Sequence, residues 1–151
     1  MSNTQAICTS FKSEVMSGIH AFGTTVVRAG TGADTIKAAL YLATGSYGVG
    51  TTAYAVTNEV GNSGSYSAGG VTVTNATAPT NDGTVGYWTP SASIVATTFT
   101  AAAFDACLLY NSTQSNRAIA VYNFGSQTIA AGTFTLTMPT NNGSTGLLRI
   151  S

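Results

Sequence analysis

The chain has 151 residues, with five Lys or Arg against five Asp or Glu, so only 7% are charged and the formal net charge is zero; an ordinary soluble domain has about 25%. Lys12, Arg28, Lys37, Arg117 and Arg149 stand singly, which speaks against nucleic acid as a direct partner, since phosphate binding draws on clustered cations. No apolar run approaches the roughly 18 residues of a spanning helix, so membrane insertion is not expected.

The first element in chain order is a helix. Ile7, Phe11, Val15 and Ile19 recur every four residues, with Cys8 and Met16 beside them, and Lys12, Ser13 and Glu14 fall elsewhere around the wheel. Thr4 is placed as N-cap and Gly18 as the C-terminal stop. The stretch before it lacks the basic region and continuous apolar core of a secretory signal, so the protein is expected to stay where it is made.

Beyond residue 18 the period changes to two. "DTIKAALYLA" sets Ile36, Ala38, Leu40 and Leu42 against Lys37, Ala39 and Tyr41, and "GGVTVTN" sets Val71 and Val73 against Thr72 and Thr74; both predict half-buried strands. Further strands are predicted at "TVVRA", "TAYAV", "VGYWT", "SIVATTFT", "FDACLLY", "RAIAVYNF", "TFTLTM" and "GLLRI". In "FDACLLYNSTQSNRAIAVYNF" the polar connection 111–116 reverses the chain, so the flanking strands pair as a hairpin. The fold class is therefore mainly β, an antiparallel β-sandwich or jelly roll with one short N-terminal α-helix. Residues 1–18 form a helical segment and residues 19–151 a single β-sandwich domain, long enough to bury roughly 70% of its extended-chain surface.

Residues able to carry chemistry are few. His20 is the one histidine, placed just past the helix as a packing or capping side chain. Asp105 and Cys107 share a strand face, but nothing in the sequence brings His20 to them, so neither a catalytic group nor an enzyme is expected. Glu14, Asp34, Glu59, Asp82 and Asp105 are spread without metal-ligand spacing and are expected in turns or on the surface; no metal or cofactor is implied. Cys8 and Cys107 are read as buried small hydrophobes, one disulfide between them remaining open. Acceptor patterns for glycosylation at Asn75, Asn111 and Asn142 arise readily in such a composition, and Arg117 is read as a solvated or interface charge. The glycine-rich stretch 45–52 lacks the Lys of a phosphate loop. With the long connection 60–70, it offers Tyr47, Tyr54 and Tyr66 as rigid contact area or as cover for the chain's own core.

A surface of hydroxyls and amides is buried without desolvating ions, and an uncharged chain does not repel its copies. Both features predict an assembly subunit. The series "FKSEVMSGIHAF", "DTIKAALYLA", "TTAYAVTNEV", "YSAGGVTVTNATAP", "AFDACLLYNSTQSNRAIAVYNFGS", "AGTFTLTMP" and "GLLRI" resembles a family of small structural proteins in the virions of tailed bacteriophages, in order over nearly the whole chain. The resemblance implies a capsid decoration, or cement, protein: a β-sandwich homotrimer on the capsid exterior, assembled in the host cytoplasm, with itself and the major capsid protein as partners. Ile7, Phe11 and Val15, with Tyr47, Tyr54 and Tyr66, are the expected interface residues. Two other readings compete. One is a tail, baseplate or fibre component. The other is a carbohydrate-binding module using Trp88, Tyr87 and Asp82, weakened because alternation sends one of the two rings into the core.

Overall fold

The computed structural model describes residues 2–16, 18–23, 32–75 and 77–151. Two antiparallel sheets pack together, with one short helix near the N-terminus. The larger sheet has the order β1-β7-β6-β2-β3, formed by Ala6–Ile7, Arg117–Leu136, Ile94–Asn111, Ile36–Leu42 and Val71–Thr72 respectively. The smaller has the order β4-β5-β8, formed by Thr80–Asp82, Val85–Trp88 and Leu148–Ile150. The predicted strand "TVVRA", with Arg28, lies outside the described residues.

The hairpin predicted around 111–116 is the spine of the larger sheet. β6 and β7 pair along their whole length, and Asn111 opposes Arg117 at the turn. The Asn111 side-chain carbonyl accepts the backbone N–H groups of Thr113 and Gln114, the local bond by which Asn starts a turn. Ser115 and Asn116 then adopt left-handed backbone, with φ of 54° and 57°. Four predicted strands fuse into these two long ones. The ladder survives the polar stretches between them because bulges occur on both strands, and Thr98, Ala103 and Ala131 take positive φ.

The N-terminal segment differs from expectation. Ala6 and Ile7 pair with Val121 and Ala120 as β1, and α1 starts only afterwards, spanning Thr9–Met16. Edge pairing satisfies these backbone groups where a first helical turn would leave four N–H groups open. The helix ends as predicted, at Gly18. Its φ is +66°, its N–H donates to the Val15 carbonyl, and the Ile19 N–H reaches back to the Glu14 carbonyl, the paired bonds of a left-handed helix stop. Cys8 and Phe11 enter the same core as the strands, so the segment is stapled to the sandwich.

Strand β2 is buried more completely than a period-two reading predicts. Ala39 and Tyr41, expected to face outward, are fully buried, like Ile36 and Leu40. The connection 43–70 folds over that face. Val60 N–H donates to the Leu40 carbonyl, Leu40 N–H donates to the Tyr66 hydroxyl, and Tyr41 Oη donates to the Ala55 carbonyl. These bonds also close the edge of β2 beyond the two residues where β3 pairs. "TAYAV", predicted as a strand, contributes only an isolated bridge from Ala53 to Arg117.

Candidate functional site

Four of the five carboxylates are interior. Glu14, Asp34, Glu59 and Asp105 are all less than 10% exposed, which corrects their expected place in turns or on the surface; only Asp82 is exposed. Burying an ionised carboxylate is tolerated when donors surround it, and each here gathers donors, remote in sequence for Asp34 and Asp105, within ten residues for Glu59 and of both kinds for Glu14.

The first gathering joins α1 to the hairpin turn. Glu14 accepts from Arg117 at 2.6 Å through Oε1 and from His20 Nε2 at 2.8 Å through Oε2. Asn111 Nδ2 lies 3.1 Å from His20 Nδ1 and donates to Asp34 Oδ2 at 2.7 Å. Asp34 also accepts from the Ala21 backbone N–H and from Gln114 Nε2. Because the Asn111 carbonyl is committed to the turn, its amide nitrogen must face His20. His20 Nδ1 is therefore the acceptor and Nε2 carries the proton. Burial, opposed by the hydrogen bond and charge of Glu14, lowers the imidazole pKa below its ordinary 6.5. Burial pushes the Glu14 carboxyl the other way, but hydrogen bonds from His20 and Arg117 outweigh it and leave its pKa lowered. The His20 side chain has no exposed surface; it is packed, one of the two roles expected of it. Arg117, read as a solvated or interface charge, keeps 43% of its side chain exposed and pairs with a buried acid.

The second gathering is aromatic. Glu59 accepts from Tyr54 Oη at 2.6 Å, from Tyr66 Oη at 3.0 Å and from the Gly69 backbone N–H at 2.7 Å. Tyr54 stacks on Tyr110 with ring centroids 4.7 Å apart, and Tyr47 meets Tyr41 at 3.9 Å. Burial raises the phenol pKa values of Tyr41, Tyr54 and Tyr66. Of the three tyrosines expected at an interface, Tyr66 is 1% exposed, and its hydroxyl is spent on β2 and Glu59. Tyr47 and Tyr54 keep partial exposure while covering their own core. The sequence carried a signal for this cluster in its tyrosines but none for Glu59 as its centre.

The third gathering ties the N-terminus down. Asp105 accepts from Asn3 Nδ2 at 2.6 Å and Asn123 Nδ2 at 3.2 Å, and Asn3 Oδ1 in turn accepts the Tyr47 N–H. Asp105 is thus engaged far from any histidine partnership.

The remaining candidates also find places. Phe11 is 2% exposed, so this helix residue, expected at an interface, belongs to the core. Ile7 and Val15 are only partly buried, and Val15 lines an apolar groove of about 400 Å³ with Phe22, Tyr87, Trp88, Leu148 and Ile150. Trp88 is 2% exposed and donates its indole N–H to the Thr77 carbonyl, so of the two rings that alternation sets on opposite faces it is Trp88 that packs inside, against Phe22. Asn111 is fully buried and closed to a glycan. Cys8 and Cys107 are free and buried. Among the described residues, no group of three His, Cys, Asp or Glu side chains is placed to hold a metal ion, and no helix is long and apolar enough to cross a membrane.

What the arrangement does chemically is to fix loops, using ions as internal hubs. Among the described residues the exterior is mostly Thr, Ser, Asn, Gln and Gly, with Lys12, Asp82 and Arg149 as exposed charges and Val49, Val56, Val95 and Ile150 as exposed large apolar side chains. Comparison with protein-family models, curated proteins and solved structures gives no match in any of the three.

Proposed function

We propose that the chain is a structural subunit of a tailed-bacteriophage virion, and within it a capsid decoration protein. In this role it binds the outside of the major capsid protein shell as a homo-oligomer, after assembly in the host cytoplasm. The observation that carries the reading is the location of charge. With four of five carboxylates turned inward, the surface offers hydroxyls, amides and small apolar groups that another subunit covers without stripping water from ions. A clamp repeated over a shell acts by added buried interface and needs no reaction at its surface.

The deciding experiment images phage particles made with and without this protein. Density lost from the capsid exterior, at points where capsomers meet, is the expected result. Particles identical in both preparations, with the protein absent from purified virions, would overturn the reading. A tail, baseplate or fibre component would use the same uncharged surface, and separating heads from tails before detecting the protein distinguishes it.

A further inference from the structure

Among the described residues, the outer edge of β7 has no strand partner beyond Val121. Near the turn it is covered: Ala118 N–H donates to the Thr52 carbonyl, Cys8 N–H donates to the Ile119 carbonyl, and β1 pairs at Ala120 and Val121. From Tyr122 onward, β6 is its one strand neighbour among the described residues. Such an edge presents a row of unpaired N–H and C=O groups, which natural proteins guard with Lys, Pro or inward charge. From residue 118 to 138 this chain has no Asp, Glu, Lys, Arg or Pro.

Bulges guard part of the edge. From Tyr122 onward the irregular steps on β7 fall between Asn123 and Gln127 and between Ile129 and Gly132. Beyond them, Gly132, Phe134, Thr135 and Leu136 pair with Phe99, Ala96, Val95 and Ile94, and residues 132–136 have no extra residue on the β7 side. Thr133 and Thr135 are exposed, Phe134 is buried and Leu136 is half-buried. This is an alternating, uncharged strand of high β-propensity.

We propose that residues 132–136 pair antiparallel with the same segment of a second copy of this chain, about a two-fold axis. A segment paired antiparallel with itself is self-complementary, and here it sets threonines near threonines with no like charges opposed. The zero net charge adds no repulsion between copies. Ile129, Leu136 and Met138 are packed on the core but only partly buried, so apolar surface beside the segment remains for a second copy to cover. The contact closes at two copies and stands independently of the virion reading.

The test uses the full chain. Light scattering on sized material gives a dimer, and the double variant Thr133→Lys with Thr135→Lys, its far-UV circular dichroism unchanged, runs as a monomer at the same concentration. Should that variant fail to fold, hydrogen exchange on the unaltered protein decides: amides within 132–136 gain protection as concentration rises. A monomer or a trimer at high concentration, a variant that stays dimeric, or protection at 132–136 that ignores concentration would each overturn the proposal. None of these outcomes depends on whether the protein is found in particles.

Discussion

His20 and Glu14 lie six residues apart in sequence and 2.8 Å apart through Nε2 and Oε2, the imidazole wholly shielded from solvent. Arg117 closes the other side of Glu14, and Asn111 closes the other side of His20. α1 is therefore locked to the β6–β7 turn by a buried ion and a neutral ring. The charged groups facing His20 are Glu14, Asp34 and Arg117, and Phe11 and Phe22 fill the rest of its surroundings.

This lock makes stability depend on pH in a defined direction. The folded-state pKa of His20 is depressed below 6.5, so the unfolded chain binds the extra proton in that window and stability falls as pH drops from neutrality through it. Glu14 is also depressed, below its ordinary 4.5, so its contribution is present above that pH and is lost under more acid conditions. Thermal melts at pH 7 and pH 5 should show a lower midpoint at pH 5, and His20→Gln should flatten the difference. Equal midpoints in the unaltered protein would contradict the assigned neutral imidazole.

Glu59 is expected to matter more than its place in a loop suggests. Truncation to Ala removes the acceptor of Tyr54, Tyr66 and the Gly69 N–H, stripping this partner from the buried Tyr66 hydroxyl and from two half-buried donors, a loss of about 1–3 kcal/mol. Glu59→Gln keeps one carbonyl acceptor and should lose less. Denaturant titration reads the order, and near-ultraviolet circular dichroism should show tyrosine signals weakened first.

Trp88 should behave as a core residue. Its fluorescence is expected at short wavelength and shielded from aqueous quenchers, and Trp88→Ala should destabilise the fold by about 3–5 kcal/mol. A solvent-quenched indole, or a stable Ala variant that has lost sugar binding, would restore the carbohydrate reading.

The cysteines should be silent until the fold opens. Burial pushes the Cys107 thiol up to about 12 and, with the nearby Glu14 charge, the Cys8 thiol up to about 11, so neither supplies thiolate at neutral pH. A chromogenic disulfide reagent should find no thiol in native protein and two in denaturant. Rapid native labelling would mean that the N-terminal segment opens readily.

Much of the scaffold is readable from residue order. The Asn- and Ser-rich turn at 111–116 and the Gly18 stop are local chemistry, and both stand where the sequence puts them. The start of the helix is not legible in residue order, because the Ala6–Ile7 backbone finds its partners more than a hundred residues away, at Ala120 and Val121. Ala39 and Tyr41 were assigned to solvent because alternation describes one strand and is silent about a loop that closes over its second face. Glu14, Asp34, Glu59 and Asp105 were sent to the surface for a related reason: a lone carboxylate in a sequence shows its charge but not its donors.

The scarcity of ions, the pleated scaffold and the reversal of the longest hairpin follow from residue order, because composition, period and turn chemistry act within a few residues. Where those ions go follows from the folded chain. Arg117 reaches Glu14 across 103 positions and Asn111 reaches Asp34 across 77, distances at which only the folded chain brings donor to acceptor.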